Sequence, residues 1–339
     1  MKMHDRPLVS FIVKTYNQER YVDSVLQGAF AQTYRPIEIV VSDDGSTDGS
    51  VTRIRQAVAG AGFGEPVSVE TRDGAEIERY GTGDRTVVLV LNARNRGNCG
   101  NWCFACSVAR GELFVKADGD DISLPERTER IVAEWRKAGP SCGVLYHNAI
   151  MIDENGREIG TADKEIFAIK HTLGAVMACT RECADAFGPC ANPRAFDDVV
   201  FHRRALFLGY TETRFDEKLV RYRIGSGVST RGKSYVKTLH QNIQISARSL
   251  ECTLADLSYL KNARPDLDLT RECLHYEREY RRRLAEFPMW ESDRFFERWR
   301  SFRITHPRIK ISLAFVVHFI LLLPRPVAHA ILDMLYRIR

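Results

Sequence analysis

Between residue 8 and about residue 225, short apolar runs alternate with stretches of helical spacing, the arrangement that builds βαβ units around a largely parallel sheet. Residues 8–13 read as a first buried strand. Over residues 19–31 the apolar positions Val22, Val25, Leu26 and Ala29 recur at helical spacing, and residues 37–42 give a second strand running into Asp43-Asp44-Gly45-Ser46. A helix is expected over residues 49–59. Residues 60–85, rich in Gly and charge, read as an irregular surface excursion with one weak strand at 67–70. The sheet resumes at 87–91, followed by a helix at 98–109 and a strand at 113–117 that ends on Asp118-Gly119-Asp120-Asp121. Next come a helix at 125–137, then a strand at 143–152 and its return at 157–160, joined by Asp153-Glu154-Asn155-Gly156 with Asn-Gly as the turn signal. A strand at 175–179, a helix at 197–208 and a strand at 218–222 complete this half. Beyond Gly232 the pattern is helical almost without interruption. The fold class is therefore α/β with a C-terminal helical extension, and no internal repeat or low-complexity tract interrupts it.

Composition changes this picture little. The chain has 339 residues, 44% hydrophobic and 27% charged, which is globular and excludes disorder as the main state. The net charge of +5 is mild, but its excess sits late: eight Arg or Lys lie between Arg298 and Arg339 against the single acid Asp333. That asymmetry points to an anionic membrane surface rather than to nucleic acid. The apolar run at 8–13 is too short for a signal-peptide core, so a cytoplasmic protein is expected. Nine cysteines without a secretory signal argue for reduced thiols. Cys99, Cys103 and Cys106 share one helical stripe and read as small core residues, since no nearby His or Cys pair completes a zinc signature.

The candidate chemistry lies in carboxylates at the ends of two strands, Asp43-Asp44 after one and Asp118, Asp120 and Asp121 after another. In open α/β sheets ligands bind at that edge. Clustered carboxylates repel one another unless a cation shares them, and Mg²⁺ and Mn²⁺ take oxygen ligands. Turn formation and helix capping are the competing explanation for either cluster alone.

Three tracts in order, Pro7-Leu-Val-Ser-Phe-Ile-Val-Lys-Thr-Tyr-Asn17, Gln32 through Asp48 with its Val-Val-Ser-Asp-Asp-Gly-Ser core, and Ala117-Asp-Gly-Asp-Asp-Ile-Ser-Leu-Pro125, resemble the family-two glycosyltransferases of the GT-A fold. The similarity covers residues 7–225. It implies a Rossmann-like mixed sheet flanked by helices, with a catalytic domain at 1–230, its nucleotide-binding half at 1–122 and its acceptor half at 123–230, followed by a helical extension at 231–339. It implies an inverting transfer of one sugar from a nucleotide diphosphate donor to a hydroxyl of a saccharide or lipid-linked acceptor, with Mn²⁺ or Mg²⁺ as cofactor.

Residue by residue, the resemblance places Tyr16, stacking, and Asp44, accepting a ring N–H, on the nucleotide base, with Asp43 beside them. Asp120 and Asp121 match the metal carboxylates and Asp118 the first acid of the longer motif. Asp198 would be the catalytic base, and Asp197 stands where many relatives have Glu, which leaves an exchange of roles between the pair open. Asn95, Gly97 and Asn101 match the segment lining the donor pocket, although Trp102-Cys103 replaces the commoner Arg-Asn. Arg221-Tyr222-Arg223 with Gly225-Ser226-Gly227 resembles a basic, flexible segment near the diphosphate, Arg223 being its donor contact. UDP is the implied carrier, and dTDP and GDP are also compatible with Tyr and Asp.

The apolar run at 311–323 is shorter than the roughly 18 residues of a spanning helix. With basic flanks and a second amphipathic stretch at 327–336, residues 308–339 read as a segment lying in the headgroup layer of the cytoplasmic face. Packing on the catalytic domain, or on a second copy as a homodimer, is the alternative. A processive polysaccharide synthase is disfavoured, since spanning helices and Gln-x-x-Arg-Trp are missing, and no G-x-G-x-x-G follows the first strand as a nicotinamide enzyme requires. A catalytically silent nucleotide-sugar binding or scaffold protein is the remaining reading.

Overall fold

A computed structural model describes residues 6–81, 83–161, 174–225, 235–305 and 313–337. The chain divides into two compact units, Met1–Gly227 and Val228–Arg339.

In the first unit, β1 (Val9–Thr15), α1 (Val22–Phe30), β2 (Ile37–Asp43) and α2 (Ser50–Gly60) form the opening βαβα segment. Both strands are buried at every position, as strands covered on two faces must be. Residues 60–85 depart from the irregular excursion expected of them: β3 (Ser68–Arg72) and β4 (Ala75–Tyr80) form a hairpin, and β4 pairs antiparallel with β5 (Arg85–Asn92). Its two-residue turn is Asp73-Gly74, with φ of 51° and 73°, the positive angles that tight hairpins require. The strand pattern was faint because β3 is an exposed edge and carries no apolar alternation.

The chain continues through α3 (Asn98–Val108), β6 (Leu113–Asp118), β7 (Ile122–Ser123), α4 (Arg127–Ala138), β8 (Cys142–Ile152) and β9 (Glu158–Thr161), then β10 (Met177–Thr180), α5 (Arg181–Asp185), α6 (Asp197–Phe207) and β11 (Thr211–Arg223). Among the described residues the strands make one 11-stranded sheet, ordered β3-β4-β5-β2-β1-β6-β10-β8-β11-β7 with β9 on β8. β11 is far longer than the strand expected at 218–222, because its first half is largely solvent-facing and lacks an apolar run.

The topology fixes the site. From β1 the chain steps outward through β2 to β5, then returns to lay β6 parallel on the other side of β1. Strand order reverses there, and in open α/β sheets ligands bind outside the carboxyl ends of the strands at such a point. Behind it, Val9, Phe11 and Val13 of β1 and their neighbours on β2 and β6 pack against Val25 and Leu26 of α1 and Ile131 and Trp135 of α4. This continuous apolar layer makes the sheet edge rigid.

The second unit consists of α7 (Tyr235–Ala263), α8 (Thr270–Glu291), α9 (Phe295–Thr305), α10 (Leu313–Ile320) and α11 (Arg325–Arg337). Its core joins Ile243, Met289, Trp290, Phe302, Val317, Leu321, Ala328 and Leu332, so α10 and α11 pack within this helical unit. Arg298, one of the basic residues counted toward a charged surface, is buried, its Nη1 donating to the carbonyls of Leu321 (2.9 Å) and Leu323 (2.6 Å). Among the described residues no helix is long and apolar enough to cross a membrane. Residues 308–312 of the suggested surface segment lie outside the described residues.

Candidate active site

The register of the central strands brings the two acidic groups together. Thr15 pairs with Asp43 across β1 and β2, and Lys14 pairs with Asp118 across β1 and β6. Tyr16, half-buried, follows directly at the end of β1. The adjoining loops are laced by side chain–backbone bonds: Asn17 N–H donates to Ser46 Oγ (2.8 Å), and Thr47 N–H to Asn17 Oδ1 (2.9 Å). Gly119 is required by closeness, since a Cβ there would stand 2.8 Å from the Lys14 carbonyl oxygen. The acidic turn therefore presses on the end of β1.

Asp43 and Asp44 are both buried but differ in what they hold. Asp43 Oδ2 accepts from Thr15 Oγ1 (2.8 Å) and Ser46 Oγ (2.6 Å), and Oδ1 from Ser46 N–H (2.8 Å), so this carboxylate shapes the turn after β2. Asp44 accepts the Arg96 N–H (2.6 Å) and the Gly97 N–H (3.0 Å), tying that turn to the 95–97 loop. Burial pushes the Asp44 carboxyl up to about 6, against the opposing pull of those two amides and of Lys14.

Asp118, Asp120 and Asp121 cluster in one tight turn, where Asp121 N–H donates to the Asp118 carbonyl (3.2 Å). Asp121 Oδ1 accepts the Arg223 N–H (2.7 Å), while its Oδ2 is buried with no hydrogen-bond partner among the described residues. Burial, then the like charges of Asp120 and Asp118, push its carboxyl well above the usual range. A buried carboxylate oxygen without a donor, beside two more carboxylates, is the donor set that a hard divalent cation completes. Asp121 with Asp120 would hold such an ion, whereas Asp118 is already paired with Lys116 and Lys14, and among the described residues the three carboxylates are not drawn into one ligand-distance cluster.

Two lysines that the sequence reading left without a role organise the rest. Lys116, on β6, contacts Asp118 Oδ1 and Oδ2 (both 3.0 Å) and lies 3.6 Å from Asp197 Oδ2. Lys14 donates to Asp197 Oδ2 and to Asn98 Oδ1 (2.7 Å), and stands 3.6 Å from Asp118. Although burial alone would raise it, Asp118 is pulled down to about 2 by Lys116 and Lys14. Asp197 also accepts from Asn98 Nδ2 (3.1 Å), so ammonium and amide donors occupy both its oxygens. Asp198, the second residue of α6, accepts the Val199 N–H at Oδ1 (2.9 Å) and is a further charge acting on Lys116. The signal for these lysines was in the sequence: each is a charged residue near the end of an otherwise apolar strand.

Removing one member of this buried network leaves uncompensated charge. Asp197→Ala strands two buried ammonium groups, and the expected loss is about 3–5 kcal/mol of unfolding free energy. Denaturant melts check it; a loss below about 1 kcal/mol would mean the lysines find other partners.

The donor-segment residues are held in place by contacts within the protein. Asn101 is buried with its amide taken up: Oδ1 accepts from Ser42 Oγ (2.5 Å) and Asn92 Nδ2 (3.2 Å), and Nδ2 donates to the Ser42 carbonyl (3.2 Å). Gly97, at φ 82°, permits close approach, but to the protein itself; a Cβ there would stand 2.7 Å from the Pro193 carbonyl oxygen. Asn95 is exposed, its Oδ1 accepting the Gly97 N–H (3.0 Å). Arg223 is buried and bonds backbone: Nε donates to the Asp120 carbonyl (3.0 Å) and Nη1 to those of Asp153 and Glu154 (2.9 Å each). It thus fixes the acidic turn. Ser226 and Gly227 lie outside the described residues.

Beneath the acidic turn lies Arg127, fully buried and absent from the sequence reading. It donates to Ser123 Oγ (2.9 Å), the Lys116 and Ala175 carbonyls (2.8 Å each) and His147 Nε2 (2.9 Å). The His147 Nδ1–H donates to the Asn148 carbonyl (2.8 Å), which defines its tautomer. Burial, followed by the Arg127 charge, pushes His147 well below its ordinary value, so it stays a neutral acceptor.

The model of the family described as Glycosyl transferase family 2 matches residues 10–195, which spans all of these elements up to the loop before Asp197. The chain belongs to glycosyl transferase family 2. EpsE of Bacillus subtilis (strain 168), a protein assigned as a glycosyltransferase, is 30% identical over 269 residues, 76% of this chain and 88% of EpsE. Other curated relatives, 25–31% identical, are matched over 43–50% of their own length, so the chain spans about half of them. Among solved structures, Staphylococcus aureus TarS 1–349 in complex with UDP-GlcNAc superposes with a TM-score of 0.53 at 18% identity, covering 94% of this chain and 82% of TarS. The mannosyltransferase PcManGT of Pyrobaculum calidifontis, in complex with GDP-Man and Mn²⁺, superposes at 0.52 and 17% identity, covering 97% and 87%. These similarities establish the GT-A fold of the family-two protein.

Proposed function

We propose that this family-two protein is an inverting glycosyltransferase that moves a single sugar from a nucleotide diphosphate donor, UDP-linked, to a hydroxyl of a saccharide or lipid-linked acceptor. The observation that carries the proposal is Asp121 Oδ2, buried without a hydrogen-bond partner among the described residues, in the acidic turn whose Asp118 is joined through Lys14 and Lys116 to Asp197. Domain limits follow the same reading, with residues 1–230 catalytic and 231–339 an extension.

Each residue then has a task. Tyr16 stacks on the base and Asp44 accepts its ring N–H. Asp120 and Asp121, with Asp118 beside them, hold Mn²⁺ or Mg²⁺, which when bound supplies Lewis-acid neutralisation of the departing diphosphate. Asp198 accepts the proton of the acceptor hydroxyl as that oxygen attacks the anomeric carbon, and the carbon–oxygen bond to the diphosphate breaks with its electron pair leaving on phosphate. Asp197 already has both oxygens engaged by Lys14, Lys116 and Asn98, which supports giving that role to Asp198. Asp43, Asn95, Gly97, Asn101 and Arg223 act at one remove, by fixing the loops that carry the contacts.

The decisive experiment incubates purified protein with Mn²⁺ and a panel of nucleotide sugars. Consumption of one donor with release of its nucleoside diphosphate is expected, since transferases leak some transfer to water. Binding of a donor with no release under any metal would favour a silent binding protein.

A pH dependence follows from Asp44. Its folded carboxyl lies near 6, above the ordinary value of 3.8, so the folded state keeps a proton that the unfolded chain releases. Its contribution to stability is therefore full below about 4 and is lost as pH rises through about 6. Acceptance of the base N–H is strongest from the ionised form, so calorimetric affinity for UDP should weaken as pH falls below about 6, and Asp44→Asn should flatten the profile. A wild-type affinity constant across that range would remove Asp44 from the base contact.

The second unit supports placement on the cytoplasmic face of a membrane. Phe296 (83% exposed), Phe295 and Trp299 leave aromatic surface in solvent, next to Arg294, Arg300 and Arg303 along the same chain segment, and Phe319 on α10 is exposed as well.

A further inference from the structure

The cysteines that read as a simple core stripe do not all behave as one. Cys106 is buried core, but Cys99 and Cys103, one helical turn apart on α3, meet Cys190 from the loop before α6. The three sulfurs lie within 4.8 Å of one another, with Cys103 Sγ and Cys190 Sγ 3.0 Å apart. The sequence hid this because Cys190 is 87 residues from Cys103.

We propose that Cys99, Cys103 and Cys190 together bind one zinc ion, which fastens the loop of residues 188–196 onto the start of α3. Zinc–sulfur bonds of about 2.3 Å set tetrahedral sulfurs about 3.8 Å apart, inside the observed spread. Convergence of three thiols favours a soft cation over a disulfide, which would use the Cys103–Cys190 pair and leave Cys99 idle. Each thiol releases its proton on ligation, so three thiolates and Zn²⁺ carry one net negative charge. The fully buried Arg204 guanidinium, close enough to act electrostatically on Cys103, balances it. The fourth position is left to water, which can enter because Cys103 and Cys190 are partly exposed.

The site would matter to the transferase because this loop holds the machinery in place. The Pro193 carbonyl accepts the Cys99 N–H (2.9 Å) and the Gly100 N–H (3.0 Å), and the chain reaches Asp197 and Asp198 a few residues later. Zinc would therefore clamp the approach to the base while lying outside the carboxylate site.

The test titrates the reduced, metal-free full chain with Co²⁺. One equivalent should give a sulfur-to-cobalt charge-transfer band, displaced by one equivalent of Zn²⁺. Cys190→Ser should abolish the band, with circular dichroism confirming that the chain is folded, and Cys273→Ser should retain it. Co²⁺ bound at the acidic turn has only oxygen ligands and gives no such band, so the two metal sites fail or succeed separately. A reduced wild-type chain without the band, or one that binds zinc equally well after Cys190→Ser, overturns the proposal. So does a Cys103–Cys190 disulfide in the isolated protein with no zinc uptake after reduction.

Discussion

Replacing Asp198 by Asn is expected to lower kcat by about 10²–10⁴-fold while leaving the donor KM within about twofold, because general-base catalysis contributes that factor to the chemical step and little to ground-state binding. The substitution keeps the size of the side chain and an oxygen able to accept the Val199 N–H at the start of α6. Loss of activity would then report lost proton acceptance. The paired control is Asp197→Asn, which keeps an acceptor for Asn98 but removes the charge balancing Lys14 and Lys116. Its effect should fall first on stability. If Asp198→Asn turns over substrate at near wild-type rate, or if only the Asp197 variant is dead while fully folded, the base has been assigned to the wrong member of the pair.

The second large effect is expected at Asp121. Asp121→Asn should abolish metal-dependent turnover, a loss of at least about 10³-fold if the ion supplies several kcal/mol of charge neutralisation. Stability should move the other way in metal-free protein. Asn retains an oxygen for the Arg223 N–H and removes a buried carboxylate that has one oxygen without a donor and two like charges beside it. The melting temperature without metal should therefore hold or rise, and Mn²⁺ should no longer raise it. Calorimetry with and without Mn²⁺ reads both effects. Wild-type activity surviving EDTA, or a variant still stabilised by Mn²⁺, would place the ion elsewhere.

Divergence from the sequence reading follows physical lines. The buried parallel strands were legible because strands covered on both faces must be continuous apolar runs, as at β1 and β2. The β3–β4 hairpin was not, since an exposed edge strand carries no such run, although Asp73-Gly74 marked its turn. Arg223 shows a different limit. A basic residue near an acidic motif reads as a diphosphate contact, but its bonds to the backbone carbonyls of Asp120 and Glu154 join residues far apart along the chain and could not be read from the sequence.

By itself the sequence determined the α/β order, the acidic turns at strand ends and the pair that opens α6, because each is written in contiguous residues whose periodicity and side-chain chemistry are local. Only the tertiary structure decided which carboxylates are already neutralised, through Lys14 and Lys116 on adjacent strands, and which retain an oxygen without a partner among the described residues. It alone brought Cys190 to Cys99 and Cys103. Charge compensation and ligand convergence depend on distances of a few ångströms between residues far apart along the chain, and those distances exist only once the sheet has closed.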